Sequence, residues 1–200
     1  MTTVSAGLDR ALLRGSLSRW PSGVSIVTTV DAAGARRGFT ATAFSSLSLE
    51  PPLVLVCLDR GADCRPAFET ADVMAVHLLR EDQAPLAQRF ATKDIDKYDG
   101  LPTSEGFGGA PLLDGVLARI ECRLDRRIEA GDHVILIGLV RRCEVFPGRP
   151  LVYFARAFHG LQSEPSPSRN READSHAHDE NNTHRSSGGP GAGGGRGESG

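Results

Sequence analysis

Two long segments in the second half of the chain, residues 116–128 and 133–146, constrain the fold more than any other feature. In the first, Val116, Ala118, Ile120, Cys122 and Leu124 alternate with Leu117, Arg119, Glu121, Arg123 and Asp125. A period of two marks a strand with one dry face and one wet face. Fully extended, 116–128 would reach about 40 Å, and a strand of that length normally curls around a barrel. Glu129-Ala130-Gly131-Asp132 supplies the turn. The returning segment is apolar on both faces in its first half, which predicts a barrel wall whose outer face is covered, most simply by a second subunit.

The rest of the pattern is compatible with such a barrel. Leu8, Leu12, Leu13, Leu17 and Trp20 recur at helical spacing, so 8–19 reads as an amphipathic helix stopped by Pro21. Residues 23–30 are rich in β-branched side chains and read as a strand. A hairpin loop over 31–37 and a second strand over 38–44 follow. Residues 45–52 are polar and end in two prolines, which predicts a loop. Further strands are expected at 53–58, 73–78 and 151–154, and helices at 65–70 and 83–91. Residues 92–113 read as one long glycine-containing loop.

From Ser163 the composition changes to Ser, Asn, Asp, Glu, Arg, Gly and Pro, with no apolar side chain beyond alanine and proline. Such a segment cannot bury enough surface to offset its ordering entropy. The expected organisation is one domain over 1–162 and a disordered polar, Gly-rich tail over 163–200. His176, His178 and His184 fall in that tail and read as solvated polar residues, so no metal site is expected.

Formal net charge is -2, and the tail, with six acidic side chains against four arginines, accounts for it. A neutral body lacks the basic footprint that nucleic acid demands. Cys57, Cys64, Cys122 and Cys143 form no CxxC pair, which argues against a zinc or redox motif. No signal-peptide pattern and no apolar stretch of membrane-spanning length is present, so the expected setting is the cytoplasm. GxGxxG, GxSxG and HExxH are all absent. The residues by themselves thus lead to a mainly β barrel with flanking helices and to no reaction.

Gly38-Phe39-Thr40-Ala41-Thr42-Ala43-Phe44-Ser45-Ser46-Leu47-Ser48-Leu49-Glu50-Pro51-Pro52-Leu53-Val54-Leu55-Val56-Cys57 resembles the signature of the flavin-reductase-like, FMN-binding split-barrel family. The likeness continues through Trp20-Pro21-Ser22-Gly23-Val24, Gln88-Arg89-Phe90-Ala91, Asp96-Lys97-Tyr98, Gly131-Asp132-His133 and Pro150-Leu151-Val152-Tyr153-Phe154, in order over about residues 8 to 162. It implies a split β-barrel, a homodimer, and a reductase that moves a hydride from NADH or NADPH to FMN or FAD. The reduced flavin would serve a separate flavin-dependent monooxygenase. The alternatives are a same-fold oxidoreductase with a prosthetic flavin, and a flavin carrier without catalysis.

The resemblance also implies a site. Thr40, Ala41, Thr42 and Ala43 are small enough for the backbone to approach a flat ring. Phe44 adjoins them, and hydroxyls of Thr42, Ser45 and Ser46 could bond the ribityl chain and phosphate. Cys57, Leu58, Asp59, Arg60 and Asp63 would wrap the phosphate or the adenine half of FAD. Arg89, with Phe90 and Ala91, supplies a second cationic candidate beside Arg60. His133 is the catalytic candidate, bordering nicotinamide and flavin, and Phe154 closes the set.

Overall fold

The computed structural model describes residues 7–161, and every structural statement below concerns them; the predicted tail and its three histidines lie outside the described residues. Helix α1 (Arg10–Leu17) starts at Asp9, whose carboxylate accepts from the Ala11 N–H at 2.8 Å. Strands β1 (Ser22–Gly23), β2 (Ser25–Val30), β3 (Arg36–Ala41), β4 (Phe44–Leu49) and β5 (Pro52–Asp59) follow. Then come α2 (Arg65–Thr70), β6 (Val73–Leu78), α3 (Ala84–Ala91), β7 (Thr103–Glu105) and β8 (Pro111–Leu113). The long hairpin is β9 (Ala118–Ala130) and β10 (His133–Val145), and β11 (Leu151–Phe154) and β12 (Ala157–Gly160) end the domain.

Seven strands form one antiparallel sheet in the order β3-β2-β6-β9-β10-β5-β4. Its two edges, β3 and β4, are neighbours in sequence, joined only by Thr42 and Ala43. Three peptide steps span at most about 11 Å, so the sheet must curl until its edges face each other. The edges are not hydrogen-bonded to one another, and the barrel is therefore split along this seam. The mainly β split-barrel class holds.

Inside, Val27, Phe39, Val56, Leu58, Phe68, Met74, Cys122 and Leu136 pack together, with Phe39 and Phe68 edge-to-face at 5.1 Å. At Gly138 a Cβ would stand 2.5 Å from Met74 Cε and 2.8 Å from Cys122 Cβ, so the crossing of β9 and β10 is close enough to demand glycine. A second cluster gathers Val24, Ile26, Leu79, Phe90, Tyr98, Leu113 and Leu151 around α3. Between them His77 is completely buried. Its Nδ1 lies 3.1 Å from the Ile26 carbonyl and its Nε2 accepts from the Leu113 N–H at 3.1 Å. A neutral ring with its proton on Nδ1 satisfies both contacts.

Two expectations fail, and one strand goes beyond the expected set. Residues 45–49 belong to an edge strand, β4, because β5 supplies its backbone partners; its serines carry no strand pattern of their own. The expected loop over 92–113 contains the β7–β8 hairpin, tied down by Thr28 Oγ1 donating to the Pro111 carbonyl at 2.6 Å. The chain also returns as β12 against β11, placing His159 within a strand.

The two-sided character of β10 has a structural counterpart. On β5, Val54, Val56 and Leu58 point inward, while Leu53, Leu55 and Cys57 are half-buried on the outside. They pair with Leu139, Ile137 and Ile135 respectively. The result is an apolar outer face two strands wide. Nearby, Leu17 is 65% and Trp20 76% exposed, and α1 buries none of its residues.

Candidate functional site

The connector Thr42–Ala43 lies at the seam of the barrel, and the clefts open on either side of it. One cleft, about 250 Å³, is lined by Phe39 to Ala43, Cys57 to Asp59, Ala62, Asp63, Phe90, Ala91, Lys93, Lys97 and His133. Five separate stretches of chain thus converge on one space. As an edge strand, β3 is paired on one side only, so part of its backbone donors and acceptors face this opening. Thr40 turns its hydroxyl away, donating to the Ala87 carbonyl at 2.6 Å, and so holds β3 against α3.

At the rim, Asp63 and Lys97 form an ion pair at 2.8 Å, with the lysine side chain only 8% exposed. Burial works against the Asp63 charge. The hydrogen bond and charge of Lys97, helped by the Asp94 N–H, outweigh it and hold the carboxyl below its usual range. Lys93 Nζ donates to the Gly61 carbonyl at 2.7 Å, placing a second ammonium on the same wall. His133 Nδ1 is 2.8 Å from Asp132 Oδ1, and that contact lowers the Asp132 pKa. With Nδ1 engaged, Nε2 is the atom left to meet a ligand. Burial raises the Cys57 thiol pKa, so Cys57 contributes a neutral surface.

A second, larger cleft of about 790 Å³ shares Thr42, Ala43 and Cys57 with the first. Its other walls include Arg14, Leu17, Trp20, Phe44, Ser45, Leu55, Tyr153 and Arg156. Ala155 and Arg156 have φ of 49° and 66°, an uncommon conformation for side chains other than glycine, and one that turns the β11–β12 hairpin tightly.

Most of the expected site residues therefore meet in one place: Thr40, Ala41, Thr42, Ala43, Cys57, Leu58, Asp59, Asp63, Phe90, Ala91 and His133 line the first cleft. Phe44 and Ser45 face the second. Ser46 and Phe154 line neither. The two arginines expected on a phosphate are occupied elsewhere. Arg60 pairs with Glu129 at 2.5 Å and donates to the Gly131 carbonyl, tying β5 to the β9–β10 turn. Arg89 Nη2 donates to the carbonyls of Asp96 and Asp99, so it shapes the loop that carries Lys97. Cys64 is buried in the core, its thiol pushed up to about 11 by desolvation. The cations on the first wall are Lys93 and Lys97, and those on the second are Arg14 and Arg156. Lys97 falls in the Asp96-Lys97-Tyr98 block that carries the resemblance, but isolated charged residues have no periodic signal, and none of these four stood among the expected site residues. Among the described residues no His, Cys, Asp and Glu cluster could hold a metal, and no helix is long and apolar enough to cross a membrane.

Residues 17–162 match the family described as the flavin reductase like domain. The chain is 46% identical to the actinorhodin polyketide dimerase of Streptomyces coelicolor, over 78% of this chain and 88% of that protein. It is 38% identical to a flavin reductase of Pseudomonas putida, covering 78% of this chain and 92% of the relative. Among solved structures it resembles an NADH:FAD oxidoreductase of Streptomyces globisporus in complex with NAD and FAD fragments. That likeness has a TM-score of 0.71 at 33% identity and covers 81% of this chain and 96% of the other.

Proposed function

The chain belongs to the flavin reductase like family, and from that premise we propose that it is an NADH:flavin oxidoreductase that supplies reduced flavin to a separate monooxygenase. The observation that carries this reading is the convergence of small residues 40–43, strand end 57–59, Phe90-Ala91 and His133 on one cleft at the seam. These residues fit a flavin. The Thr40–Ala43 stretch has no bulky side chain, so its open backbone edge can reach the polar rim of a flat ring. Lys93 and Lys97 stand where a phosphate can be neutralised. The continuous passage into the larger cleft leaves room for a second ring beside the first.

Flavin and nicotinamide supply the hydride chemistry themselves; the protein contributes binding, orientation and electrostatics. Ala43 and Cys57, common to both clefts, would form the floor on which two rings are held face to face in a near-attack arrangement. Arg14 and Arg156 offer guanidinium groups to the phosphates of the pyridine nucleotide. His133 Nε2 would bond the nicotinamide carboxamide or a flavin edge. His133→Ala is then expected to leave flavin affinity within about twofold and to lower NADH-dependent reduction about tenfold, the worth of one net hydrogen bond. Stopped-flow reduction at saturating flavin measures this, and equal losses of flavin affinity and rate would refute the division of roles.

The reading is tested by NADH and NADPH oxidation with added FMN, FAD and riboflavin. Turnover proportional to free flavin supports a reductase. A chain that purifies with tightly held flavin and needs another acceptor, or that binds flavin and leaves NADH untouched, contradicts it.

The same proposal includes a homodimer formed through the apolar face of β5 and β10, with Leu17 and Trp20 at its margin. Leu55→Asp is expected to convert a dimeric mass by light scattering at micromolar concentration into a monomeric one. A monomeric wild type would refute it. The proposal also ends the functional domain at Gln162: a chain truncated there is expected to keep full flavin reduction, measured by NADH oxidation.

A further inference from the structure

The two lysines that could neutralise a phosphate do not stand alone on the cleft walls. Lys93 and Lys97 line the proposed flavin cleft, and so do Asp59 and Asp63. Among the described residues that line it there is no arginine. A phosphate monoester carries about -1.5 to -2 charges at pH 7. Entering this cleft, it meets as many carboxylates as ammonium groups.

Asp63 is bound to the more deeply placed of the two cations. Lys97 Nζ donates to Asp63 Oδ1 at 2.8 Å and to the Gly38 carbonyl at 3.1 Å. Both acceptors are fixed. Gly38 lies within β3, and Asp63 Oδ2 accepts from the Asp94 N–H at 3.3 Å. Burial opposes the Asp63 charge, but the Lys97 hydrogen bond outweighs it, so the carboxylate stays ionised at neutral pH. The lysine side chain is 8% exposed and its partner 28%, so salt screens the pair only in part. Beyond the pair, the space continues into a third cleft of about 650 Å³, with Arg36, Arg37 and Asp96 on its walls. There Arg37 pairs with Asp31. Arg36 is bonded to Thr103 Oγ1 and stacked 4.8 Å from the centre of the Tyr98 ring. The cations around the pair are thus engaged within the fold.

We propose that Asp63 sets the flavin specificity of this protein: it withholds Lys97 from the flavin phosphate, so that the ring is the part recognised and riboflavin is accepted nearly as well as FMN. The proposal rests on the flavin reading above and goes beyond it by assigning a residue to the choice among flavins. A phosphate that adds little to affinity also leaves the reduced flavin weakly held, which suits a product that has to be handed on.

Riboflavin and FMN differ only by the phosphate, so the ratio of their Kd values, titrated on the full chain, reads its contribution. In wild type the two are expected to agree within about fivefold. Asp63→Asn keeps the side chain's size and an acceptor for Lys97 but removes the charge. It is expected to shift the ratio about tenfold in favour of FMN. Lys97→Gln leaves Asp63 unopposed and is expected to shift the ratio against FMN by a similar factor. The double variant is expected to return to the wild-type ratio, because the pair is neutral with both charges or with neither. A merely structural pair would move both flavins together and leave every ratio unchanged. That result, or a wild-type preference for FMN beyond fivefold, overturns the proposal and leaves the flavin site standing. A wild type that binds neither flavin overturns the flavin reading as well. Circular dichroism checks that each variant folds, and the wild-type ratio decides the matter even where one does not.

Discussion

Ala43→Trp is expected to weaken FMN and FAD binding more than a hundredfold while the barrel stays folded. Ala43 is exposed, sits in the two-residue connector across the seam, and lines both the smaller and the larger cleft. An indole there would project into a space of about 250 Å³ that a flavin ring has to share. A hundredfold loss corresponds to about 2.7 kcal/mol, well within the reach of a steric block at a ring-binding surface. The Ala43 carbonyl accepts from the Cys57 N–H at 3.0 Å, a backbone contact that the substitution preserves. Titration calorimetry with each flavin, and circular dichroism for the fold, measure the two halves of the expectation. Wild-type flavin affinity in A43W would mean that the seam is not the flavin site.

The second large effect is on stability in mild acid. Burial pushes the His77 pKa down from 6.5 to about 4, with Arg119 adding to the depression and the hydrogen bond to Ile26 opposing it. The unfolded chain takes up this proton near pH 6.5, whereas the folded chain resists it until about pH 4. Stability is therefore fully present above pH 6.5 and falls as the pH drops through the window to about 4. The total is on the order of 3 kcal/mol, a large share of the 5–15 kcal/mol typical of a domain. The depressed carboxylates Asp31, Asp63 and Asp132 act in the same direction, but below the ordinary carboxylate value of 3.8. Their window is separate. Urea midpoints at pH 7 and pH 4.5 measure the His77 effect. His77→Gln can still donate to Ile26 and accept from Leu113 without titrating, so its midpoint is expected to change much less between the two pH values. A slope unchanged in H77Q would assign the acid sensitivity to other groups.

How much was legible in the sequence depended on whether a residue's role is set by its neighbours along the chain. The alternation from Val116 to Leu124 makes a strand wherever it is placed, because successive side chains point to opposite faces. The same holds for β6, whose span matches its apolar run, and for α2. The small residues from Thr40 to Ala43 could be marked as a surface for a flat ligand by resemblance, and they do line the cleft. Residues 45–49 escaped notice because a serine-rich edge strand owes its structure to β5.

The cations show the limit most clearly. Arg60 and Arg89 have the chemistry of phosphate ligands, and resemblance places both near the flavin. In the fold, Glu129 takes one and the backbone of Asp96 and Asp99 takes the other. Lys93 and Lys97 stand on the wall instead, Lys97 anchored by Asp63, a residue 34 positions away. By itself the sequence determined which segments are strands, which faces are apolar, and that the chain curls into a barrel, since these follow from local periodicity and from strand length. Only the tertiary structure decided which charged groups face the cleft, because each charge takes the nearest opposite partner in space, and distant segments bring those partners together.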